Sequence, residues 1–320
     1  MKAIILAAGK GSRMKSDRLK VLHEVAGKCV LSYVVDTVET LPVDEIIIVI
    51  GHQAEAVEAT IKNNKITFVT QHEQKGTGHA VMQVKDAMSI QQKENVLVLA
   101  GDCPLIQKST LESLMAHHQE THADATILTT CMDDPGSYGR ILRGEGGHVT
   151  GIQEAKDCSQ DMLQIKEINT GAYLFDSEQL FEALTHITDK NTQGEYYLTD
   201  VIKIINNNGG TISGYCTERK SEAIGINTRQ DLGEINTILY AQNNDFWMSN
   251  GVTIIDPKTT YIDSTVTIGE DTIIYPCSTI TGDTVIGKSC EIGPNIYLTG
   301  ERVPENSQIK PTLYTIEPKR

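Results

Sequence analysis

The sequence EIIIVI occupies residues 45–50, and the sequence NVLVLA occupies residues 95–100. Both are almost continuously apolar over the length of one strand, which is typical of strands that are covered on both faces. Further apolar runs at residues 3–6 and 67–69 alternate with amphipathic, helix-like segments. This alternation predicts a doubly wound, mostly parallel α/β sheet in the first part of the chain.

Helices are expected where apolar residues recur with helical spacing. The expected helical segments are residues 31–38, 54–61 and 76–87 and a helix opened by Ser109, and the strongly polar segment 228–242 is a further helix candidate. Ser109 is followed three residues later by Glu112, which is the spacing of a capping box. Strand-like pieces continue the domain at residues 125–131, 149–153 and 168–175.

A six-residue period marks the last part of the chain. Isoleucine recurs at every sixth position, with Leu298 next in register: Ile262, Ile268, Ile274, Ile280, Ile286 and Ile292. This period predicts a short parallel β-helix, whereas the alternative, an ordinary β-meander, would show period two. Prolines at 304, 311 and 318 are expected to end the repeat after two or three coils. We therefore expect the chain to consist of an α/β domain at residues 1–228, a linker helix at 229–250, and the β-helix with a C-terminal tail at 251–320.

Charge and composition restrict the partners. The chain carries 28 Lys+Arg and 42 Asp+Glu, a net charge of −14, which disfavours nucleic acid and anionic membranes as partners. Seven cysteines lie far apart without a C-x-x-C pair, which fits reduced thiols better than a disulfide framework or a zinc site. No apolar stretch approaches the ~20 residues that span a bilayer, so we expect a cytoplasmic protein.

A glycine-rich loop follows the first apolar run. It reads LAAGKGSRM at residues 6–14, with Lys20 a few residues beyond. Glycines let backbone N–H groups turn towards one anion, and Arg13 and Lys20 add positive charge, so the loop is a candidate phosphate site. It is neither a P-loop nor a dinucleotide fingerprint, since Met14 stands where the third glycine would be. From these residues alone, an ordinary tight turn stays an open alternative.

Asp102 comes directly after the apolar run 95–100 and Gly101. Ligands collect at the carboxyl ends of strands in open α/β sheets, so this carboxylate is a candidate to hold a cation against phosphate oxygens. The alternative is that Asp102 simply caps a helix.

The string LAAGKGSRM, with Lys20-Val21-Leu22-His23 after it, resembles the opening of sugar nucleotidyltransferases, most closely the bacterial N-acetylglucosamine-1-phosphate uridyltransferases. Further matching pieces follow in the family's order, and the similarity extends to about residue 298. These pieces are Gln71 and Gln74, Gly76-Thr77-Gly78-His79-Ala80, Gly101-Asp102, Pro104-Leu105, Tyr138-Gly139-Arg140, Glu154, Asn169-Thr170-Gly171, Glu195 to Asp200, and Gly225-Ile226-Asn227.

The resemblance implies a Rossmann-like nucleotidyltransferase fold, a short left-handed β-helix, and formation of UDP-N-acetylglucosamine and pyrophosphate from UTP and N-acetylglucosamine 1-phosphate. It implies Mg²⁺ as cofactor, held by Asp102 and Asn227, and catalytic roles for Arg13 and Lys20. Gln71, Gly76 and Thr77 match positions that read uracil, and Gly139, Glu154 and Asn169 match contacts to the sugar. The full set of implied substrate-binding residues is Leu6, Ala8, Gly9, Gly11, Gln71, Gly76, Thr77, Gly139, Glu154, Asn169 and Asn227.

The expected reaction is a direct in-line attack of the sugar phosphate on the α-phosphorus of UTP. A phosphate monoester loses its second proton near pH ~6, so no general base is needed to make it a nucleophile. We therefore expect no covalent enzyme intermediate.

Three features depart from the family. Arg18-Leu19 precedes Lys20 where relatives commonly have Leu-Pro, and Ala100 offers no side chain to the ligands. Later β-helix coils that carry an acetyltransferase site in many members are missing, so we expect no acetyltransferase activity. Short β-helices of this family resemble those that assemble as trimers, so a homotrimer is expected.

Two alternatives stay open at this point. One is the same fold acting on another sugar 1-phosphate or on dTTP. The other is a catalytically weak paralogue that binds a sugar nucleotide as a sensor. The joint presence of Arg13, Lys20, Asp102 and Asn227 favours the enzyme, because binding alone would not need a metal site and two cations.

Overall fold

A computed structural model describes residues 1–63, 65–88 and 94–311 of the chain. The chain divides into two compact units. The first comprises Met1–His23 and Val30–Thr228, and the second comprises Glu24–Cys29 and the chain from Arg229 onward.

The first unit is built on one mixed sheet. In chain order, the strands up to residue 216 are β1 Lys2–Leu6, β2 Glu24–Val25, β3 Lys28–Cys29, β4 Glu45–Ile50, β5 Ile66–Thr70, β6 Asn95–Ala100, β7 Ala125–Cys131, β8 Arg140–Arg143, β9 Val149–Gln153, β10 Glu167–Asp176 and β11 Ile212–Cys216. Within the described residues, seven strands lie in the order β11-β7-β10-β6-β1-β4-β5, and β8 and β9 join the sheet through β10.

All neighbouring pairs in this order are parallel except those that involve β10, which runs antiparallel to β6 and β7. The apolar runs at 45–50 and 95–100 are central strands, and their residues from 46 to 50 and from 96 to 99 are buried. The predicted mostly parallel sheet is therefore confirmed.

Helices pack on both faces of this sheet. The helices of the first unit are α1 Val30–Glu39, α2 Ala54–Thr60, α3 Thr77–Met82, α4 Lys108–Glu120, α5 Gln160–Leu163, α6 Ser177–Leu184 and α7 Asp200–Asn207, whereas α8 Arg229–Ser249 belongs to the second unit. Ile4, Ile47 and Val98 share one apolar cluster with side chains of α3, α6 and α7. On the opposite face, His118 of α4 forms a hydrogen bond with Thr126, the neighbour of Ile127 in β7.

Two helix predictions were wrong in detail. The helix expected at 76–87 covers only Thr77–Met82. After Met82 the chain continues in tighter turns, in which a backbone N–H donates to the carbonyl three residues earlier, as the Val84 N–H does to the Val81 carbonyl. The expected capping box at Ser109 is also absent. The helix α4 begins one residue earlier, after Gln107, without a side-chain cap, and the Ser109 hydroxyl instead accepts a hydrogen bond from Arg219.

The second unit contains the predicted β-helix. Its strands are β12 Thr253–Ile254, β13 Tyr261–Ile262, β14 Thr267–Ile268, β15 Ile273–Ile274, β16 Thr279–Thr281, β17 Val285–Ile286, β18 Glu291–Ile292, β19 Tyr297–Thr299, β20 Arg302–Val303 and β21 Gln308–Ile309. Among the described residues they form three parallel sheets, ordered β12-β15-β18-β21, β13-β16-β19 and β14-β17-β20.

The six-residue period places each isoleucine over its equivalent in the next coil. Ile262 pairs with Ile280 and then with Leu298, and Ile274 pairs with Ile292. The six isoleucines of the repeat are at most 5 % exposed and form the apolar interior of the coils. Pro304 does not end the repeat, since β21 pairs with β18 beyond it, and Pro318 lies outside the described residues.

The two observed units differ from the expected domains at residues 24–29, which belong to the second unit although they lie within the expected first domain. This segment forms the β2–β3 hairpin, whose Ala26 N–H donates to Asn236 of α8 and whose Ala26 carbonyl accepts from Ser264. These backbone bonds explain why the segment groups with the second unit. The expected linker helix corresponds to α8, which groups with the β-helix.

All seven cysteines lie in the described part of the chain and carry free thiols. Within that same part, none of the helices combines the length and the apolar character that crossing a bilayer requires.

Candidate active site

Four adjacent parallel strands end at one edge of the sheet. The register pairs Leu6 at the end of β1 with Val49 of β4 and with Ala100 of β6, while Ile50 pairs with Thr70 of β5. The loops that follow these strands therefore share the carboxyl edge, which is where ligands bind in open α/β sheets. The N-terminal half of β10 reaches the same edge, because β10 runs opposite to β6.

Four of the predicted residues meet at this edge. The Lys20 ammonium donates hydrogen bonds to Asp102 Oδ2 and, over 3.2 Å, to Asn227 Oδ1. Arg13 Nη2 donates to the same Asn227 Oδ1 over 2.9 Å. We name these four residues the basic–acidic cluster. It joins segments up to 214 positions apart in the chain, so the sheet topology assembles what the sequence scatters.

The glycine loop is shaped by a close approach to Lys20. Gly11 has φ of +63°, and a Cβ there would lie 2.7 Å from the Lys20 Cβ. Only glycine combines this left-handed backbone with that contact at low cost. Leu19, for which the resemblance led us to expect proline, is buried and has φ of −55°, close to the angle that proline would impose. The buried leucine therefore presents Lys20 on a similar backbone.

Asn227 is held by its own segment. The Ile226 N–H donates to the Asp102 carbonyl over 3.0 Å, and Asn227 Nδ2 donates to the Gly225 carbonyl over 3.2 Å. The amide hydrogens thus point back into the segment and the Oδ1 atom faces Arg13 and Lys20.

The oxygen atoms of Asp102 and Asn227 fit a hard divalent cation. Because a single ammonium contacts both Asp102 Oδ2 and Asn227 Oδ1, the two oxygens converge on one point. In the described residues there is no group of three or more His, Cys, Asp or Glu that could hold a metal. Two protein oxygens with phosphate and water completing the shell is the arrangement that Mg²⁺ commonly uses.

Three of the expected substrate-binding residues, Leu6, Ala8 and Gly9, belong to the glycine loop and have no polar side chain. The Leu6 carbonyl accepts from the Gly101 N–H over 2.9 Å, which fixes the start of the loop. Ala8 is buried, and Gly9 is exposed with open space around it.

The segment from Gln71 to Gly78 forms a second cluster at the edge. Gln71 Nε2 donates to the Gly76 carbonyl over 3.1 Å and lies 2.9 Å from His79 Nδ1. Burial, followed by the charge of Lys75, lowers the pKa of His79, so the neutral ring can accept that hydrogen bond. With both amide hydrogens used inside the protein, the Gln71 carbonyl oxygen is left to accept from a ligand.

This segment is hydrogen-bonded to the chain around Tyr196. The Gly78 N–H donates to the Tyr196 carbonyl over 2.8 Å, and the Tyr196 N–H donates to the Lys75 carbonyl. The Thr77 hydroxyl accepts from the Leu198 N–H. Gly76 has φ of +108°, and a Cβ there would lie 2.5 Å from the Tyr196 carbonyl oxygen.

We expect Gly76→Ala to lower the free energy of unfolding by about 1–3 kcal/mol, since it combines a strained φ with a backbone clash. It should also raise the KM for the nucleotide by about tenfold. Gly194→Ala is the matched control, because Gly194 has φ of +66° with nothing within 4 Å. Denaturant unfolding should show a clearly larger loss for Gly76→Ala; equal losses in the two variants would contradict the contact.

A third cluster contains the residues predicted to bind the sugar. The Asn169 N–H donates to the Gly139 carbonyl over 2.9 Å, which places the two residues side by side. Asn169 Nδ2 donates to the Tyr173 hydroxyl and Asn169 Oδ1 accepts from the Gly171 N–H, which together orient the side-chain amide. Glu154 Oε1 accepts from the Thr199 hydroxyl over 3.0 Å.

Burial dominates the electrostatics of this third cluster. It raises the pKa of Glu154 above the ordinary 4.5, and the Thr199 hydroxyl only partly offsets the shift. Burial also raises the pKa of Tyr173, with the charge of Glu154 as a further cause. Tyr173 thus lies close to both Asn169, through their hydrogen bond, and the Glu154 carboxylate, whose charge acts on its hydroxyl.

Sequence reasoning assigned no role to Tyr173 or Cys103. Tyr173 lies inside an apolar strand and had no distinguishing signal, while Cys103 directly follows Asp102. The Cys103 thiol donates to Asp102 Oδ1 over 3.5 Å, and burial raises its pKa well above the ordinary value. It is therefore a neutral thiol beside the carboxylate.

Comparison with known proteins places this geometry in a family. Residues 3–195 match the family model described as the MobA-like NTP transferase domain. A bifunctional protein GlmU of Exiguobacterium sibiricum is 46 % identical over 313 residues, which are 98 % of this chain and 69 % of that protein. The chain belongs to the MobA-like NTP transferase family and to the GlmU family.

A bifunctional protein GlmU of Geobacillus sp. strain WCH70 is 51 % identical over 92 % of this chain and 63 % of its own length. The chain thus spans about two thirds of these relatives. A solved UDP-glucose pyrophosphorylase complexed with UDP-glucose has a TM-score of 0.62 over 75 % of this chain and 98 % of that protein, at 18 % identity, and shows the same fold.

These comparisons confirm the predicted nucleotidyltransferase class and the predicted family. The bounds of the family model include Arg13, Lys20, Asp102, Gln71, Glu154 and Asn169.

Proposed function

We propose that this chain joins UTP and N-acetylglucosamine 1-phosphate to form UDP-N-acetylglucosamine and pyrophosphate. Membership of the GlmU family supports a sugar-1-phosphate uridylyltransferase. The observation that carries the proposal is the basic–acidic cluster, in which one ammonium contacts both Asp102 and Asn227. It offers positive charge and converging oxygens at the edge where a triphosphate would bind.

The site must bind two polyanions, UTP and the sugar 1-phosphate, next to each other. The sugar phosphate is mostly dianionic near neutral pH and attacks the α-phosphorus directly, so no side chain acts as base. Arg13 and Lys20 offset the charge that develops on the leaving pyrophosphate, and the backbone of the glycine loop binds its oxygens. Alignment of the two substrates supplies about 7–11 kcal/mol of the barrier reduction.

Asp102 and Asn227 are the residues that would hold Mg²⁺. When bound, the ion neutralises phosphate charge and orients the triphosphate. The Lys20 ammonium contacts both of these oxygens, so a cation bound between them would require the ammonium to turn away, and a phosphate oxygen would be its new partner.

The second and third clusters provide selectivity. The Gln71 carbonyl oxygen accepts from the N3–H of uracil, an atom that thymine shares and cytosine lacks. Glu154 and the Asn169 amide bind the hydroxyls and the acetamido group of the sugar. This contact predicts that CTP is rejected, whereas the expected preference for UTP over dTTP rests on membership of the GlmU family.

The raised pKa of Glu154 gives a testable pH dependence. The ionised carboxylate binds sugar hydroxyls best, so the KM for the sugar phosphate should rise as the pH falls through a pKa above 4.5. Glu154→Gln should raise that KM by about tenfold at pH 7.5 and remove this dependence. Because the substrate phosphate itself titrates near pH ~6, the diagnostic quantity is the ratio of KM between variant and wild type across pH 5–7.5. A constant ratio would contradict the assignment.

The same ionisation has a stability consequence. A carboxyl whose pKa is higher in the folded state binds more protons there than in the unfolded chain. Wild type should therefore lose stability as the pH rises from 4.5 through the folded pKa, and Glu154→Gln should lose less.

The function is tested by product identification with a substrate panel. UTP, dTTP and CTP are each paired with N-acetylglucosamine 1-phosphate and with glucose 1-phosphate, with Mg²⁺ or with a chelator. We expect fastest formation of UDP-N-acetylglucosamine, and turnover only with the metal. Preference for glucose 1-phosphate or dTTP would favour the first alternative enzyme, and no metal-dependent turnover on any pair would favour a sugar-nucleotide sensor.

We also infer that the chain assembles as a homotrimer through the β-helix unit and acts in the cytoplasm. Support for assembly comes from large exposed apolar side chains in that unit, among them Tyr297 at 68 % and Phe246 at 57 %. Light scattering after size exclusion should give three times 35.1 kDa; a monomer at micromolar concentration would contradict it.

A further inference from the structure

Glu222 is a buried carboxyl outside the three clusters. It lies on the 3-10 turn Lys220–Ala223 and is 2 % exposed. Its Oε1 atom accepts a 2.8 Å hydrogen bond from the Thr110 hydroxyl of α4, 112 positions away in the chain. Its Oε2 atom is buried and has no hydrogen-bond partner among the described residues. Such burial is costly, because a carboxyl leaves water with part of its hydrogen-bonding capacity unused.

A second contact joins the same turn to the same helix. Arg219 Nη1 donates to the Ser109 hydroxyl over 2.8 Å and lies 3.4 Å from Glu222 Oε1. The start of the segment 219–227 is thus fastened at two adjacent positions of α4. Burial raises the pKa of Glu222, and the Thr110 hydroxyl, the Arg219 guanidinium and the backbone N–H of Gln107, the residue before α4, oppose that shift.

The other end of the segment 219–227 carries a residue of the basic–acidic cluster. Five positions after Glu222, Asn227 accepts from Arg13 and Lys20. Between them, the Ile226 N–H donates to the Asp102 carbonyl, and a Cβ at Gly225 would lie 3.4 Å from Asp102 Oδ1. A small displacement of the segment would therefore move Asn227 relative to Asp102.

Glu222 also borders the floor of the site. Together with Ala100, Cys103 and Gly171 it lines a cavity of about 10 Å³, too small for more than one water. Gly171 follows the sugar-site residues of β10, and Cys103 follows Asp102. The Glu222 side chain thus packs close to the ends of β6 and β10. Because this region is tightly packed, a change in the size of that side chain should displace the neighbouring residues.

We propose that Glu222 is a positioning residue: its bond to Thr110 fixes the segment 219–227 so that Asn227 Oδ1 faces Lys20 beside Asp102. The catalytic consequence of this proposal rests on the proposed function, whereas the anchoring itself does not. Glu222 touches no reacting atom and acts only through Asn227.

The anchoring is tested by hydrogen exchange of the peptide that contains residues 219–228. Glu222→Ala and the nearly isosteric Thr110→Val should each speed exchange at Ile226 by about tenfold, since the segment opens locally. Lys220→Ala is the matched control on the same turn, because the Lys220 ammonium pairs with the exposed Asp133 carboxylate and not with α4. Unchanged exchange in both Glu222→Ala and Thr110→Val would overturn the proposal.

A double-mutant cycle tests the catalytic consequence. In the wild-type background Glu222→Ala should lower kcat/KM by about tenfold, whereas in the Asn227→Ala background it should lower it less than twofold. Glu222→Gln, which keeps the acceptor for Thr110, should restore most of the rate. An equal fall in both backgrounds would show a general structural effect and would overturn the proposal.

The two possible failures are distinguishable. If wild type makes no nucleotide sugar, the proposed function fails, and the exchange result then decides the anchoring by itself. If Glu222→Ala does not fold, Thr110→Val gives the same comparison with the loss of one hydroxyl.

Discussion

Asp102→Asn is expected to lower kcat/KM by about 10²- to 10³-fold. The substitution keeps the shape of the side chain but removes the charge that pairs with Lys20 and that would hold a divalent cation. Preorganised charges at phosphoryl-transfer sites typically have effects of this size. Steady-state pyrophosphate release at saturating sugar phosphate provides the measurement.

A fall in rate caused by unfolding must be separated from this effect. The side chain of Asp102 is 18 % exposed and Asn can still accept hydrogen bonds, so the loss of stability should be small beside the loss of rate. Each 1 kcal/mol lowers Tm by about 2–4 °C in a domain of about 150–250 residues, the range to which the first unit belongs. Asp133→Asn, which removes an exposed carboxylate paired with Lys220, should leave turnover within about twofold. Near-normal turnover of Asp102→Asn would remove this residue from the site.

Lys20→Met is the second large effect, with an expected fall of about 10²-fold in kcat/KM. Methionine retains the apolar stem that packs against Gly11 but lacks the ammonium, so the change isolates the charge. If Lys20 acts on the transition state, kcat and kcat/KM should fall together, whereas a pure binding role would raise KM alone.

The loop offers a matched control for Lys20. Lys15 is exposed and belongs to the same loop, so Lys15→Met removes one positive charge from the same region without touching the cluster. It should retain turnover within about threefold. Similar losses in the two variants would mean that overall loop charge, and not the position of Lys20, determines the rate.

The parts of the fold that sequence predicted well are those with a distinctive apolar pattern. The continuous apolar runs at 45–50 and 95–100 are typical of strands buried on both faces, and the six-residue isoleucine spacing is typical of stacking in a β-helix. Ends of elements were less predictable. Ser109 has a cap residue's chemistry, but its hydroxyl is used by Arg219, a tertiary partner 110 positions away that no local rule reveals.

Some residues of the candidate site could likewise be predicted from sequence and others could not. Asp102 and the glycine loop could be inferred from their places after strands, whereas Asn227, Glu154 and Asn169 became candidates only through the resemblance. Glu222 and Tyr173 carried no signal of either kind. Their contacts depend on how β6, β10 and α4 meet in space, which a single sequence does not contain.

The segment 24–29 shows that sequence composition does not reveal every domain boundary. Nothing in its sequence separates it from its neighbours, yet its backbone pairs with the second unit. Its partners Asn236 and Ser264 lie more than 200 residues away.

Arg13, Lys20, Asp102 and Asn227 together form the proposed site of the nucleoside triphosphate. Calorimetric titration of UTP, with Mg²⁺ and with a chelator, measures binding at this site without requiring turnover. We expect metal-dependent binding by wild type that weakens at least tenfold in both Asp102→Asn and Lys20→Met and is unchanged in Lys15→Met. Undiminished metal-dependent binding of UTP in the first two variants would mean that these residues do not form the triphosphate site.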